Sequence, residues 1–444
     1  MIPPRRPAVL ASRPPPRCWV SRFRGNSPRI RGAISSKALV PALVAALVLL
    51  AVPAAAGPAA PADDTLAAVQ AVLDVRTGAV RAKDRAAFLA TVDPEASAAF
   101  VQAQARQFDG LAALPLASFE LRAHIDDSGD LANAAAGRYG KARVFLPETR
   151  QRYRFEGYDA TDAVDYLWLS FVERDGAWFV GGDEDLSALG LDTDRSLWDL
   201  GPVRIDGVAH FLVLSDPADA ARATALAALA EQAAARMSEV WDQPWPGRVP
   251  LVLPPSVEAL ERLLQSTVDL DKFVAFASYG LLEDEGPDGY SASSPRIFVQ
   301  DERLARTSPA SQVETLVHEL VHAAAAPLAG PFIPLWVHEG VADWAATGRP
   351  AAVAAPSGSD GRLPRPYELT TGSAMSIQRS YKESRSAISF LAERSGPGAP
   401  SALFRELGKV RTEPGSVDHH LDAALRRVTG LGLVEFEQAW AADR

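Results

Sequence analysis

The stretch His318-Glu319-Leu320-Val321-His322, with Trp336-Val337-His338-Glu339-Gly340-Val341-Ala342-Asp343 a short way downstream, decides how this chain is read. Histidines four apart on a helix stand about 40° apart around its axis and one turn along it, so both imidazoles reach one ion. Glu319 lies between them in sequence but about 100° round the helix from His318, off the ion and free to act as a base on a water.

A surface helix can carry such a string by chance, and the context argues against that here. Val313, Leu316, Val317, Leu320 and Val321 give the segment an apolar helical face, and either Ser308-Pro309 or the capping-box-like Ser311-Gln312-Val313-Glu314 marks its start. A buried apolar helix seldom tolerates a His-Glu-His cluster unless something satisfies it. A connection broken by Pro327, Gly330, Pro331 and Pro334 follows, and the pattern predicts a second short helix from near Pro334 to near Gly348. It carries Glu339 and Asp343 four apart, on one face. A catalytic zinc site takes three protein ligands and keeps a position open, and His318, His322 and Glu339 make a His2Glu set. Asp343, one turn beyond the third ligand, is placed to accept the second N–H of a ligating imidazole.

On these residues the chain resembles the gluzincin metallopeptidases, the thermolysin-like and aminopeptidase-like group, and most closely their small bacterial relatives called the peptidase MA-like family. In that family H-E-x-x-H and a loop precede W-x-x-E-G with an acidic residue four further on, and Trp336 to Asp343 fits the pattern. The general likeness extends from about Val203 to the end, through a helix reading Tyr381 to Gly396 and a closing segment Leu421 to Trp440, while the two site helices are its specific part.

The resemblance implies a mostly helical catalytic domain with a small sheet, zinc as cofactor, a peptide or protein substrate and Glu319 as general base. It also implies that the strand Ile297–Gln300 is an edge strand holding an extended substrate by β-augmentation. Related aminopeptidases use a downstream tyrosine as donor to the developing oxyanion, which points to Tyr381 at the start of its helix, with Tyr367 as the other candidate. Tyr381 reads equally as an ordinary packing residue. His338 is either a substrate-side donor or a solvent-facing residue. No G-x-M-E-N-type exopeptidase signature stands upstream of the first site helix, which argues against an aminopeptidase. Two other readings use the same residues: an inactive metal-binding module that recruits a partner, and a hydrolase of a non-peptide amide or ester.

Composition divides the rest. The chain has 444 residues, 48% of them apolar, enough for two cores of ordinary size. Residues 1–62 differ in kind: they hold nine Lys or Arg and no Asp or Glu, with an apolar run from Ala38 to Ala56. This reads as a secretory signal with a long basic n-region and small residues at Ala54 to Ala56 for cleavage, so the expectation is a secreted or cell-surface protein. An uncleaved membrane anchor through residues 38–56 is the rival reading. Of 45 basic residues, removal of those nine leaves 36 against 55 acidic ones, a net charge of −19, which argues against nucleic acid as a partner. The single cysteine, Cys18, lies in the leader, so cysteine usage is silent about compartment.

The expected fold class is α+β. Residues 63–191 open with helical patterns around Leu66, Val69, Leu73, Phe88 and Phe100 to Leu114. Strand-like alternations follow at Phe119–Ile125, Arg143–Leu146, Tyr153–Tyr158, Leu167–Val172 and Trp178–Val180. Helices and then a curved antiparallel sheet resemble the NTF2-like fold. His124 and His210 read as structural. Residues 200–444 form the catalytic part. They read as a strand Val203–Leu214, an Ala-rich helix Asp216–Trp241, a strand Val249–Leu253, a helix from Ser256, an apolar segment Phe273–Ala277 and a strand Arg296–Gln300 before the site helices. Glu283–Pro295 and Ala351–Pro366 read as loops.

Overall fold

The first element of the computed structural model, which describes residues 18–23, 62–124, 135–265, 269–283, 290–350, 353–410 and 415–443, is strand β1 (Cys18–Phe23). The apolar run Ala38–Ala56 lies outside the described residues; among the described ones no helix is long and apolar enough to cross a membrane. Three helices come next, α1 (Ala62–Ala82), α2 (Arg85–Leu89) and α3 (Ala98–Ala113). Asp84 and Ser97 begin the second and third by accepting from backbone N–H groups at Ala87 and Phe100.

Six strands follow: β2 (Leu116–His124), β3 (Val144–Phe145), β4 (Glu148–Phe155), β5 (Ala163–Leu167), β6 (Ser170–Arg174) and β7 (Ala177–Gly182). They form two antiparallel sheets, β2-β4-β5 and β3-β6-β7, where the sequence predicted one curved sheet. The predicted strand Leu167–Val172 is broken at Trp168. Its N–H donates to Thr193 Oγ1 instead of a ladder, and its ring is buried in a small cluster with Leu146 and Leu186. Helix α1 packs on both β2 and β7, so one helical layer covers the two sheets.

A short helix, α4 (Leu197–Leu200), joins this unit to the next. Trp198 is buried there, edge-on to Tyr153 and Phe155. Gly110 of α3 lies against it so closely that a Cβ would stand 2.4 Å from Trp198 Cβ. Arg296 reaches back across the junction to the buried carboxylate of Asp159, at 2.7 and 2.9 Å. In place of two separate cores, one apolar cluster runs through both halves of the molecule.

The second half, from residue 200 on, opens with a hairpin, β8 (Arg204–Gly207) and β9 (Phe211–Ser215), where one strand was predicted. Asp206-Gly207 leads into the turn, which Val208 N–H closes on Phe211 O. Then come α5 (Ala220–Val240), β10 (Val249–Leu253), α6 (Val257–Leu264), β11 (Phe273–Tyr279), β12 (Leu281–Glu283), β13 (Tyr290–Ala292) and β14 (Arg296–Val299). The predicted loop Glu283–Pro295 is therefore partly a hairpin, β12 with β13. The remainder is helical: α7 (Asp301–Ala305), α8 (Pro309–Ala325), α9 (Leu335–Ala346), α10 (Pro366–Thr370), α11 (Ala374–Ser395), α12 (Ala399–Gly408), α13 (Val417–Thr429) and α14 (Leu433–Ala442).

The sheet of this half is mixed and six-stranded, in the order β1-β11-β14-β10-β9-β8. Strands β14, β10 and β9 are mutually parallel, while β8 and β11 run antiparallel to their neighbours. The expected edge strand Ile297–Gln300 is thus an interior one: β14 pairs with β10 on one side and β11 on the other. The apolar run Phe273–Tyr279, buried at every position, is the next strand on that side, and β1 pairs with it as the outermost strand. Helix α8 crosses this side of the sheet against β11 and β14 and packs on α5 and α9.

Candidate metal centre

Helix α8 begins at Ser308, whose hydroxyl accepts from Ser311 N–H, with Pro309 in the first helical position. From that start the helix turns His318, Glu319 and His322 inward, and all three are buried at 0 to 1% exposure. Helix α9 starts after Pro334 and brings Glu339, 1% exposed, to the same point.

The distances are those of a shared ion. His318 Nε2 and His322 Nε2 stand 3.0 Å apart, and Glu339 Oε2 lies 3.3 Å from the first and 3.7 Å from the second. Tetrahedral ligands held at 2.0 to 2.1 Å from one zinc-sized cation are separated by about 3.3 Å. His318, His322 and Glu339 therefore form a group that can hold a metal ion, the one such cluster of histidine, cysteine and carboxylate side chains among the described residues.

Asp343, one turn after Glu339, accepts from His318 Nδ1 at 3.1 Å. This contact fixes the ring orientation and leaves Nε2 facing the other ligands. Burial alone pushes the His318 imidazole down, but Asp343 and then Glu339 stabilise its charged form and raise its pKa to about 9. Burial, and then the charge on His318, hold His322 well below the ordinary range. Without metal, one imidazole is a donor and the other an acceptor across the 3.0 Å gap. A cation replaces that proton when three neutral or anionic ligands are needed.

Helix α9 approaches α11 unusually closely at Gly340, where a Cβ would meet Ser384 O at 2.6 Å and Ile388 Cγ1 at 2.7 Å. A glycine in mid-helix costs about 1 kcal/mol in propensity, and here it permits the contact that sets the depth of Glu339 and Asp343. Small side chains on α11 meet it: Ser384 bonds back to Ser380 O. Ser386 and Ser389 donate to Val353 O and Pro350 O, tying the segment after α9 to α11.

Of the proposed oxyanion donors, Tyr381 reaches the site: it is 5% exposed, its ring inclined 29° to His318 with centroids 6.4 Å apart. It sits well inside its helix, which starts at Ala374 behind the cap Ser373 rather than at the tyrosine. Tyr367, on α10, is 59% exposed, outside the closed site. His338 is not solvent-facing. It is buried edge-on to Phe404 with ring centroids 4.9 Å apart, and burial lowers it to about 4, so it is neutral. Residues that sequence reasoning missed are Gly340 and Ser384. The Glu-Gly step in a buried helix and the Ser380, Ser384, Ile388 spacing of four were their available signals. His210 lies away from the group, its Nδ1 2.5 Å from Glu231.

Neither a known protein-family model nor a curated protein matches this chain. The functional reading therefore stands on the site itself.

Proposed function

We propose that the chain is a zinc-dependent metallopeptidase that cleaves peptide bonds within a protein or peptide substrate. The observation that carries this reading is the convergence of His318, His322 and Glu339 at ligand spacing, with His318 held by Asp343 and Glu339 supplied by a second helix. Zinc, bound there, supplies a Lewis acid for the scissile carbonyl and lowers the pKa of a water. Two histidines and one carboxylate would suit zinc better than magnesium or calcium, which take more oxygen ligands.

The chain's own residues supply the rest. Glu319, rotated off the ligand line but on the same buried turn, accepts the proton of the attacking water and returns it to the leaving amine. Tyr381, against His318, donates its hydroxyl proton in a hydrogen bond to the oxyanion. Asp343 keeps the His318 ring in place throughout. Export of the protein is part of the proposal, resting on the acid-free basic leader and the apolar run Ala38–Ala56.

Metal analysis of the purified chain, followed by digestion of an unbiased peptide library with and without chelator, tests the reading. Stoichiometric zinc and chelator-sensitive cleavage are expected. Tight zinc with no cleavage of any peptide overturns it in favour of an inactive module or a different amide or ester substrate. Fractionation and N-terminal sequencing test export, and a cytoplasmic protein that keeps residues 1–56 overturns it.

A further inference from the structure

A cavity of about 200 Å³ lies at the seam between the two halves. Tyr158 enters it from the first half, Trp245, Pro246 and Pro250 come from the segment that leads into β10, and Ala323 and Ala326 from the last turn of α8 and the turn after it. It shares that helix with His318 and His322, but neither they nor Glu339 line it. One water takes about 10 to 15 Å³ of such space, so the cavity admits on the order of a dozen non-hydrogen atoms. Two half-buried aromatic rings and several prolines give it flat, apolar walls.

Among the described residues in the wall Arg248 alone is charged. Its Nε donates to Ala209 O at 3.1 Å and its Nη1 to Gly157 O at 3.2 Å. Gly157 presents that carbonyl at φ +74°, where a Cβ would stand 3.1 Å from Nη1. Two neutral carbonyls thus hold the guanidinium plane without balancing its charge. No carboxylate among the described residues pairs with Arg248, and its Nη2 has no acceptor there. Asp159 and Asp162, beside Tyr158 and Thr161, are engaged by Arg296 and Arg154. In a chain of 55 acidic and 45 basic residues, an apolar cavity with an unbalanced guanidinium and no acid in its wall favours an anion. One guanidinium edge matches a planar carboxylate, whereas phosphate sites gather several N–H or cationic groups. We propose that this cavity binds a carboxylate carried on a flat apolar body, Arg248 taking the carboxylate at the exposed mouth and Trp245 and Tyr158 the body inside. Free aromatic acids and the C-terminal residue of a polypeptide share this chemistry.

Calorimetry on the full chain with N-acetylphenylalanine should show one site with a Kd of about 1 mM or tighter, the range open to a ligand of this size. N-acetylphenylalaninamide keeps the body and lacks the charge, and should bind about tenfold or more weakly. A chelator should leave both affinities unchanged. Arg248→Gln should weaken the acid alone, by about tenfold, and Trp245→Ala should weaken acid and amide alike. No saturable binding of the acid, an amide that binds as tightly, or loss of binding with chelator overturns the proposal. All three are read on the unaltered chain, so a folding defect in a variant cannot imitate them. A preference for the acid that survives Arg248→Gln, in protein folded by circular dichroism, also overturns it. A tetrapeptide ending in phenylalanine, checked intact by mass spectrometry, distinguishes the two sources: binding at least as tight as that of the capped residue assigns the cavity to polypeptide ends, and weaker binding assigns it to free acids.

Discussion

Asp343 accepts from His318 Nδ1 across 3.1 Å, and the two residues come from different helices, α9 and α8. The ring that faces the other candidate ligands from one helix is thus oriented by a carboxylate on the other. Asp343→Asn keeps the size but replaces a charge-assisted contact with a neutral one. Zinc affinity should fall about 10 to 100-fold with the fold intact. Competition against a chelator, with circular dichroism as the folding control, measures it, and unchanged affinity would reduce Asp343 to a bystander.

The roles of the two glutamates separate cleanly. Glu319→Gln should retain one zinc and lose nearly all hydrolysis, because the proposed mechanism uses the side chain as a base and not as a ligand. Glu339→Ala should lose most of the zinc, since two imidazoles alone make an incomplete set. Mass spectrometry for metal and a cleavage assay on both variants decide this. Wild-type cleavage by Glu319→Gln ends the hydrolytic mechanism, and full zinc in Glu339→Ala means that another group completes the site.

Tyr381→Phe keeps the ring against His318 and removes the hydroxyl. A donor that acts on the developing oxyanion should cost about 100-fold in kcat with a smaller change in KM. Equal loss in both, or none, leaves Tyr381 as a packing residue.

Gly340→Ala places a methyl group 2.6 Å from Ser384 O. The helices must separate or distort, at about 1 to 3 kcal/mol. Thermal denaturation should show a lower Tm, and zinc affinity should drop with it because Glu339 and Asp343 move with α9. Restored affinity on cutting back the opposing Ile388 to Ala, Gly340→Ala with Ile388→Ala, would identify the side-chain half of the clash.

Metal uptake should depend on pH through His318. Its folded-state pKa is raised to about 9. In the metal-free chain this group's stabilising contribution is therefore full below about pH 6.5, its unfolded value, and is lost as pH rises through about 9. Zinc must displace that proton, so apparent affinity should rise as pH increases from about 6 to about 9, with proton release on binding. Calorimetry in buffers of different ionisation enthalpy reports the released proton; affinity independent of pH in this range would contradict the assignment.

The site helices were legible because their information is local. Spacing of four fixes which side chains share a face, and Ser308-Pro309 and Pro334 fix where each helix starts. What escaped was mostly long-range. That Arg296 to Val299 is a strand follows from its residues, but its interior place depends on β11 entering antiparallel beside it, which no local pattern encodes. The break at Trp168 depends on Thr193, 25 residues away. The start of α11 was misplaced because Ser376 to Ser380 carries one apolar residue, Ile377, too few to register as a helical face.

The junction at Trp198, with Gly110 pressed on one side and Tyr153 and Phe155 on the other, bears on how the molecule melts. Removing the first 191 residues would uncover that indole and take from Arg296 both its carboxylate partner Asp159 and the Tyr153 and Phe155 rings it lies over, leaving a sticky patch and an unpaired cation. The two halves should therefore denature in a single cooperative transition, and the first is a structural partner that the second cannot shed rather than an appendage hung on a tether.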